Sequence, residues 1–232
     1  MPRFREIDFA RGIAIMMMVL FHFMWDLNYF HLIGVSLYTG FWGIFQKATA
    51  GLFLLLVGVA LAVKYGGREK VDVPDAVRGG AIVFAAGMVL TLFTFIFYRE
   101  QFIYFGILHL IGVSRILSIP LLRQKYLNLF LGLCIIALPM IVQLQYMQVS
   151  LLVWLGLAVP SPTLDFFPVL PWFGVVLIGI FTGNAIYGNS KARAELPIEG
   201  PRARIFRPVE MLGKHSLMIY FLHQLILFPL AY

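Results

Sequence analysis

The chain has 232 residues, of which 61% are hydrophobic and only 12% are charged. A soluble domain of this size does not need so much apolar surface to fill its core. The composition therefore excludes an ordinary soluble globular protein and indicates a membrane protein. The formal net charge is +7. We attribute it to membrane topology and to contact with phosphate groups of lipids or ligands, and not to nucleic-acid binding.

Seven apolar segments are long enough to span a bilayer, which requires about 20 residues per helix. Backbone exposed to lipid must satisfy its own hydrogen bonds, and the segments are too long and too evenly apolar for barrel strands. We therefore predict an all-α polytopic bundle of about seven transmembrane helices, forming one domain over residues 1–232. The segments are residues 7–27, 40–63, 78–97, 103–122, 126–146, 168–187 and 209–230.

Lysine and arginine concentrate at one side of the predicted bundle. With the N-terminus in the cytoplasm, nearly all of the 18 basic residues fall at inner helix ends or in inner loops. The exceptions are Arg99 in an outer loop and Lys47 and Arg115 inside segments. The positive-inside rule therefore predicts a cytoplasmic N-terminus and an outer C-terminus.

The first segment carries a polar stripe. Asp8, Arg11, His22 and Asp26 are spaced by 3, 11 and 4 residues, and at about 100° per residue these spacings return to nearly the same direction. Charged groups are costly in lipid, so we expect this face to contact protein or water. Asp8 and Arg11 are spaced for an ion pair, which serves either as a structural anchor or as part of a ligand site.

Three histidines are predicted to lie at one depth in the membrane. At about 1.5 Å per residue, His22, His109 and His223 lie about 9–10 Å below the outer surface, in a layer that Lys47 shares. One histidine in a bundle usually makes an interhelical hydrogen bond, but three at one depth favour a functional cluster. Imidazole titrates near neutrality and the Asp26 carboxylate can orient it, which favours an acid/base site. A haem or metal electron-transfer site and a proton-coupled transport site stay open.

The last segment has a second polar face. Ser216, Tyr220 and His223 are spaced at i, i+4 and i+7, with Gln224 beside them. We expect this face to meet the polar stripe of the first segment. No HxxxH or CxxC pattern accompanies either face, and we predict no bound metal.

Two other features indicate packing. Cys134, the one cysteine, lies in an apolar run, where we expect a buried and unreactive thiol. Gly51 and Gly58 share a face of the second segment and allow close helix packing, either within the chain or in a homodimer.

Four phrases of the sequence resemble one protein family. They are REIDFARGIA at 5–14 with HFMWDLNYF at 22–30, GILHLIGVS at 106–114, LPWFG at 170–174, and LGKHSLMIYFLHQ at 212–224. They resemble the heparan-α-glucosaminide N-acetyltransferase family and its small prokaryotic relatives, within the transmembrane acyltransferases. The first and last phrases are the most specific.

The resemblance implies that an acetyl group moves from cytoplasmic acetyl-CoA to an amine or hydroxyl acceptor, such as an amino sugar or glycan, on the other side of the membrane. It also implies a catalytic histidine just after the first helix, and an asparagine near the end of that helix. When the RGIA stretch is aligned with that of the family, His22 falls at the position of the family's asparagine. His31 then falls about two residues before the position of the family's catalytic histidine. We favour His22, which lies deeper. The candidate catalytic residues are His22, His31, Asp26, His109 and His223.

A basic inner rim suits the phosphates of coenzyme A, because Arg and Lys pair with phosphate oxygens. The alternative explanation is positive-inside topology alone. Tyr220, Ser216 or Lys47 are candidates for stabilising an oxyanion. With the resemblance, these features predict an enzyme of the plasma membrane of a prokaryote. The candidate residues for binding coenzyme A are Arg11, Arg202, Arg204, Arg207, Lys214, Ser216 and Tyr220.

Overall fold

The computed structural model describes residues 4–66, 70–141, 150–158, 162–188 and 202–232. Within these ranges the chain is helical and contains no β-strand, which confirms the all-α prediction. Three short 3₁₀ segments, Arg99–Gln101, Ile119–Leu121 and Ser150–Leu155, join or follow the helices. The α-helices are α1 Arg5–Tyr29, α2 Gly40–Tyr65, α3 Val73–Phe97, α4 Ile107–Leu117, α5 Lys125–Ile141, α6 Val169–Tyr187, α7 Arg202–Lys214 and α8 Ser216–Ala231.

The predicted segments match these helices with three differences. Helix α3 begins earlier than residue 78, because the Asp72 side chain caps it by accepting from the Asp75 backbone N–H and Pro74 occupies the first turn. The fourth segment contains a helix of only 11 residues, α4. The prediction of one continuous last helix is wrong, because the backbone leaves helical geometry at His215 (φ −103°, ψ 19°) and separates α7 from α8.

Among the described residues, four helices are long and apolar enough to cross a membrane: α1, α2, α3 and α6. Helix α3 shows why lipid is the expected solvent: Ile82, Leu92 and Ile96 are all more than half exposed. Cys134 is likewise exposed, which corrects our expectation of a buried thiol. It lies exposed on α5 near the exposed Leu133, because an apolar side chain in a membrane need not be covered by protein.

The contacts of the chain divide it into two compact units. The first unit contains residues 1–56 and 194–232, and therefore α1, the first part of α2, α7 and α8. The second unit contains residues 57–193, and therefore the rest of α2 and α3 to α6. The seven-span count, the orientation and the single domain stay predictions.

In the first unit, α7 packs on the start of α1 in the opposite direction, since Gly213 meets Asp8 and Val209 meets Gly12. Helix α8 packs on the rest of α1 and runs in the same direction as α1. Near the start of α1, the Arg5 guanidinium forms an ion pair with Glu210 of α7, with Nη2 2.9 Å from Oε1. Near its end, the Phe30 ring lies 5.0 Å from Phe228 and 5.7 Å from Tyr232. The start of α1 and the end of α8 therefore lie at opposite ends of this helix pair.

Two glycines bring α7 against α1. A Cβ placed on Gly12 would overlap the backbone carbonyl oxygen of Val209, and a Cβ on Gly213 would overlap that of Asp8. Both collisions involve backbone atoms, which no rotamer change can relieve. Small residues at such crossings are typical of helix packing in membranes.

In the second unit, glycines also allow close helix packing, at three helix crossings. Gly80 of α3 faces Gly112 of α4, and Gly132 of α5 faces Gly174 of α6. Gly58 of α2 lies against Val176 and Gly179 of α6. Gly58 therefore packs within the chain, as one of our two alternatives predicted, whereas a Cβ on Gly51 would meet no described atom within 4 Å.

The start of α4 is held by a carboxylate from the segment that precedes α6. Asp165 Oδ2 accepts a hydrogen bond of 2.9 Å from the backbone N–H of Ile107, the first residue of α4. Burial raises the pKa of the Asp165 carboxyl to about 6, and this hydrogen bond offsets part of the increase.

This raised pKa predicts a pH-dependent stability. The folded chain holds the Asp165 proton more tightly than the unfolded chain, where an aspartate has a pKa of about 3.9. The contribution is therefore favourable below about pH 4 and is lost as the pH rises through 6. We expect the thermal midpoint in detergent to fall more between pH 5 and 7.5 in the wild type than in Asp165→Asn. Equal falls in the two proteins would contradict this prediction.

Candidate active site

Two of the predicted histidines meet in the first unit. The rings of His22 on α1 and His223 on α8 lie 4.7 Å apart between centroids and cross at 70°. His223 is buried and His22 is half-buried. The structure thus confirms the expectation that the polar faces of the first and last apolar segments meet.

The backbone fixes the tautomer of both rings. His22 Nδ1 lies 2.9 Å from the carbonyl oxygen of Met18, and His223 Nδ1 lies 2.7 Å from that of Tyr220. A carbonyl oxygen only accepts, so each Nδ1 carries a proton and donates it. In the neutral ring, Nε2 then bears the lone pair. Each histidine therefore presents Nε2 as a base, a nucleophile or a ligand.

An acidic residue and an amide lie close to the histidine pair in sequence and link the same two helices. Gln224 Nε2 donates a hydrogen bond of 2.5 Å to Asp26 Oδ1. Asp26 is completely buried, with 0% of its surface exposed. Helical spacing predicts Asp26 on the polar stripe of the first segment and Gln224 beside the polar face of the last one. The useful signal is that each follows a histidine closely on its own helix, at i+4 on α1 and at i+1 on α8.

Several acceptor atoms of this group are unpaired. Asp26 Oδ2, Gln224 Oε1 and His223 Nε2 are buried and have no hydrogen-bond partner among the residues that the structure describes. Buried polar atoms are normally paired, and those that are not commonly mark a functional site. All three atoms accept, so the group is complementary to a ligand that donates N–H or O–H bonds. We define His22, Asp26, His223 and Gln224 as the α1/α8 polar cluster.

His109 belongs to the second unit and is fully engaged there. Its Nδ1 accepts from the backbone N–H of Gly106 at 3.1 Å, and its Nε2 lies 3.3 Å from the Thr91 hydroxyl. Its ring also packs edge-on against Phe84 and stacks on Phe105. An Nδ1 that accepts requires the opposite tautomer to that of His22 and His223. These contacts give His109 a structural explanation at the start of α4, and its catalytic role stays a prediction.

His31 lies just after α1 and is exposed, with a positive φ of 58°. Its backbone N–H donates to the Asn28 carbonyl and closes the end of the helix. A non-glycine residue in this region is uncommon, and Asn tolerates it better than most. His31 therefore has a local structural explanation, and its catalytic role stays a prediction.

The predicted basic rim is partly described. Arg11 and Asp8 form the expected ion pair, with Nη1 3.6 Å from Oδ1. Arg207 and Lys214 are exposed on α7, while the side chains of Arg202 and Arg204 lie outside the described ones.

The oxyanion candidates are distributed over two helices. Ser216 and Tyr220 are half-buried on α8, and the Tyr220 ring lies 6.0 Å from that of His223. Lys47 is exposed on α2. In the part of the chain that is described, no group of three or more His, Cys, Asp and Glu side chains is arranged to hold a metal ion.

Helices that are long and apolar enough to span a membrane, together with a buried polar cluster between two helices, define a helical membrane protein with an internal site. The family described as heparan-alpha-glucosaminide N-acetyltransferase, catalytic, matches residues 3–225. The chain therefore belongs to this family, which confirms the resemblance in its sequence. No curated protein and no solved structure matches the chain significantly.

Proposed function

We propose that this protein is a membrane acetyltransferase that uses cytoplasmic acetyl-CoA as its donor and acetylates an amine at the extracytoplasmic side of a prokaryotic plasma membrane. The observation that carries the proposal is the α1/α8 polar cluster, in a chain whose family is named for N-acetyltransfer. The cluster offers a carboxylate, an amide oxygen and imidazole nitrogens, and an amine is the acceptor group that best matches so many hydrogen-bond acceptors. A hydroxyl acceptor presents only one O–H.

The reaction requires two proton transfers, one from the attacking amine to a base and one from that base to the leaving thiolate. The amine nitrogen attacks the thioester carbonyl carbon, the new C–N bond forms, and the Nε2 atom of His22 takes a proton from the nitrogen. The tetrahedral intermediate then breaks its C–S bond, and the imidazolium returns the proton to the departing thiolate. His223 lies beside His22 and relays or shares this proton. Asp26 or Gln224 holds the amine by accepting a hydrogen bond from its one remaining N–H.

Other residues bind the donor, acetyl-CoA, or stabilise the intermediate. Arg207 and Lys214 are exposed cations on α7, which suits the phosphates of coenzyme A. The sequence predicts Arg11, Arg202 and Arg204 in the same basic rim. Tyr220 and Ser216 lie on the α8 side of the cluster, where a hydroxyl donor would stabilise the oxyanion of the intermediate.

The direct test is transfer by purified protein in detergent. We expect acetyl-CoA and glucosamine together to release free thiol and acetylated amine in equal amounts, with little thiol release when glucosamine is omitted. A panel with matched hydroxyl acceptors tests the preference for amines. The proposal fails if acetyl-CoA neither binds nor reacts with any member of the panel.

A variant of His31 separates the two histidine assignments. His31→Asn keeps a residue that tolerates a positive φ but removes the imidazole. Because His31 is exposed and its backbone makes the local contact, we expect its initial rate to stay within about twofold of the wild type. The measurement is acetyl transfer at saturating acetyl-CoA, normalised to folded protein. A loss of 100-fold or more would instead assign His31 as the base.

A further inference from the structure

An apolar groove runs along the same helix pair that holds the α1/α8 polar cluster. It has a volume of about 510 Å³ and is open to the surface. Among the residues that the structure describes, only apolar side chains of α1, α7 and α8 line it, so the groove belongs to the first unit. This volume is within the usual range for small-molecule sites. The proposed reaction gives the groove no role.

The groove and the polar cluster lie next to each other along both helices. On α1, the groove residue Phe23 directly follows His22. On α8, the groove residues Ile219 and Leu227 each lie four residues from His223, one on either side. Four residues make about one helical turn, so these three side chains share one face of α8. A molecule in the groove therefore passes within about one helical turn of His223.

The two features differ in their position along α1. Asp26 lies about 5 Å before the end of the helix at Tyr29, whereas the groove residues extend from Ile15 to Phe23, over about 12 Å near its middle. Helix α1 is long and apolar enough to cross a membrane. Its end then lies near the lipid headgroups and its middle lies among the hydrocarbon chains. The chain thus offers polar acceptors near headgroup depth and an apolar groove at chain depth.

The groove is accessible from the side. Met16 and Leu20, at its edge on α1, are both exposed, while Ile15 is buried. Lipid tails are as apolar as these side chains. A hydrocarbon chain can therefore enter the groove from the bilayer without crossing water, whereas a water-soluble partner gains nothing from such walls.

The polar cluster determines which headgroup fits beside the groove. Its unpaired buried atoms, Asp26 Oδ2, Gln224 Oε1 and His223 Nε2, all accept hydrogen bonds. A primary amine, or its ammonium form, donates more than one N–H bond and complements the charge of the carboxylate. A phosphate oxygen only accepts, and a quaternary ammonium has no N–H to donate.

We propose that the acceptor is an amine-bearing lipid, with its hydrocarbon chain in the α1/α8 groove and its amine at the polar cluster. For the fate of the amine, this inference rests on the proposed acetyl transfer. The neutral lipid amine attacks the thioester carbonyl carbon, the C–N bond forms and the C–S bond breaks. The amine proton passes through His22 to the departing thiolate. The products are the N-acetylated lipid and free coenzyme A.

The first test measures lipid binding without any reaction. The purified chain is placed in nanodiscs with equal amounts of phosphatidylethanolamine and phosphatidylcholine that carry the same acyl chains. The retained lipid is counted by native mass spectrometry. We expect a preference of about tenfold or more for phosphatidylethanolamine, since a charged hydrogen bond contributes that much. Asp26→Asn keeps an oxygen for the Gln224 hydrogen bond but removes the charge, and it should lose this preference. Retention of both lipids alike by the wild type would overturn the inference.

The second test fills the groove. Leu20→Trp adds bulk at its exposed edge and should lower the retained phosphatidylethanolamine by about tenfold, in line with the usual cost of overpacking. Leu225→Trp is the matched control, because Leu225 is 62% exposed and points about 200° away from His223 on α8. Size-exclusion chromatography checks that both variants are folded. Equal retention by the two folded variants would show that the lipid does not lie in the groove.

The third test links the groove to the reaction through two acceptors that share one amine, glucosamine and its dodecyl glycoside. We expect kcat/KM for the dodecyl glycoside, relative to that for glucosamine, to fall about tenfold in Leu20→Trp and to stay unchanged in Leu225→Trp. An unchanged ratio in Leu20→Trp, with glucosamine still acetylated, would contradict the lipid acceptor and leave the proposed enzyme activity intact. If neither acceptor reacts while phosphatidylethanolamine is retained as expected, acetyl transfer fails and the lipid site stands.

Discussion

Replacing His22 by asparagine should lower acetyl transfer by about 100-fold or more, because general acid–base catalysis by a placed side chain contributes about 10²–10⁴-fold. The asparagine amide can still donate to the Met18 carbonyl, as His22 Nδ1 does now. It has no counterpart to the basic Nε2. The substitution therefore removes the chemistry and keeps the local hydrogen bond. The measurement is the initial rate at saturating acetyl-CoA, with the folded fraction taken from size-exclusion chromatography.

The companion variants make this result specific. His223→Asn should also reduce the rate, and the double variant should lose little more than the more damaging single variant if the two rings act as a unit. His31→Asn is the matched control, since it exchanges the same residue types at an exposed site. If His22→Asn keeps near wild-type activity while His31→Asn loses it, the proposed base is wrong and the arrangement implied by the family resemblance applies instead.

Replacing Gly213 by alanine should destabilise the first unit by roughly 2–3 kcal/mol, at the upper end of overpacking effects. The new Cβ would collide with the backbone carbonyl oxygen of Asp8, so α7 must move away from α1. This movement would strain the Arg5–Glu210 ion pair, in which Glu210 is buried. For a chain of this length we expect the thermal midpoint in detergent to fall on the order of 5–10 °C.

Gly51→Ala is the matched control for this prediction. It places the same methyl group inside α2, where no described atom lies within 4 Å, so alanine should be neutral or slightly stabilising. Gly12→Ala should resemble Gly213→Ala, because its Cβ would meet the backbone of Val209. Equal thermal midpoints for the Gly213 and Gly51 variants would show that the close crossing of α1 and α7 does not limit stability.

Much of the helical framework could be read from the sequence, because apolar runs in lipid must form helices. The first six predicted segments each contain one helix, and Asp8 pairs with Arg11 at the expected spacing. The break at His215 could not be read in this way. The polar, basic α7 differs in composition from the apolar α8, but this change does not fix the residue at which the helix breaks; the backbone geometry at His215 does.

The candidate site was predicted in outline for the same reason. Helical periodicity placed His22 and Asp26 on one face and His223 on another, and buried polar faces need partners. Depth in the membrane, however, does not tell which helices lie next to each other. By depth alone, His109 was grouped with His22 and His223. His109 differs in its surroundings: its Nδ1 accepts from Gly106, so it caps a helix.

The sequence by itself determined the family, the helical class and the polar faces, since these depend on residue order and on spacing along one helix. The tertiary structure decided which nitrogen of each histidine carries the proton, which amide meets Asp26, and that an apolar groove runs along the same two helices. These properties depend on distances and directions between atoms that are far apart in the chain, such as Asp26 and Gln224. Only the packing of whole helices brings such atoms together.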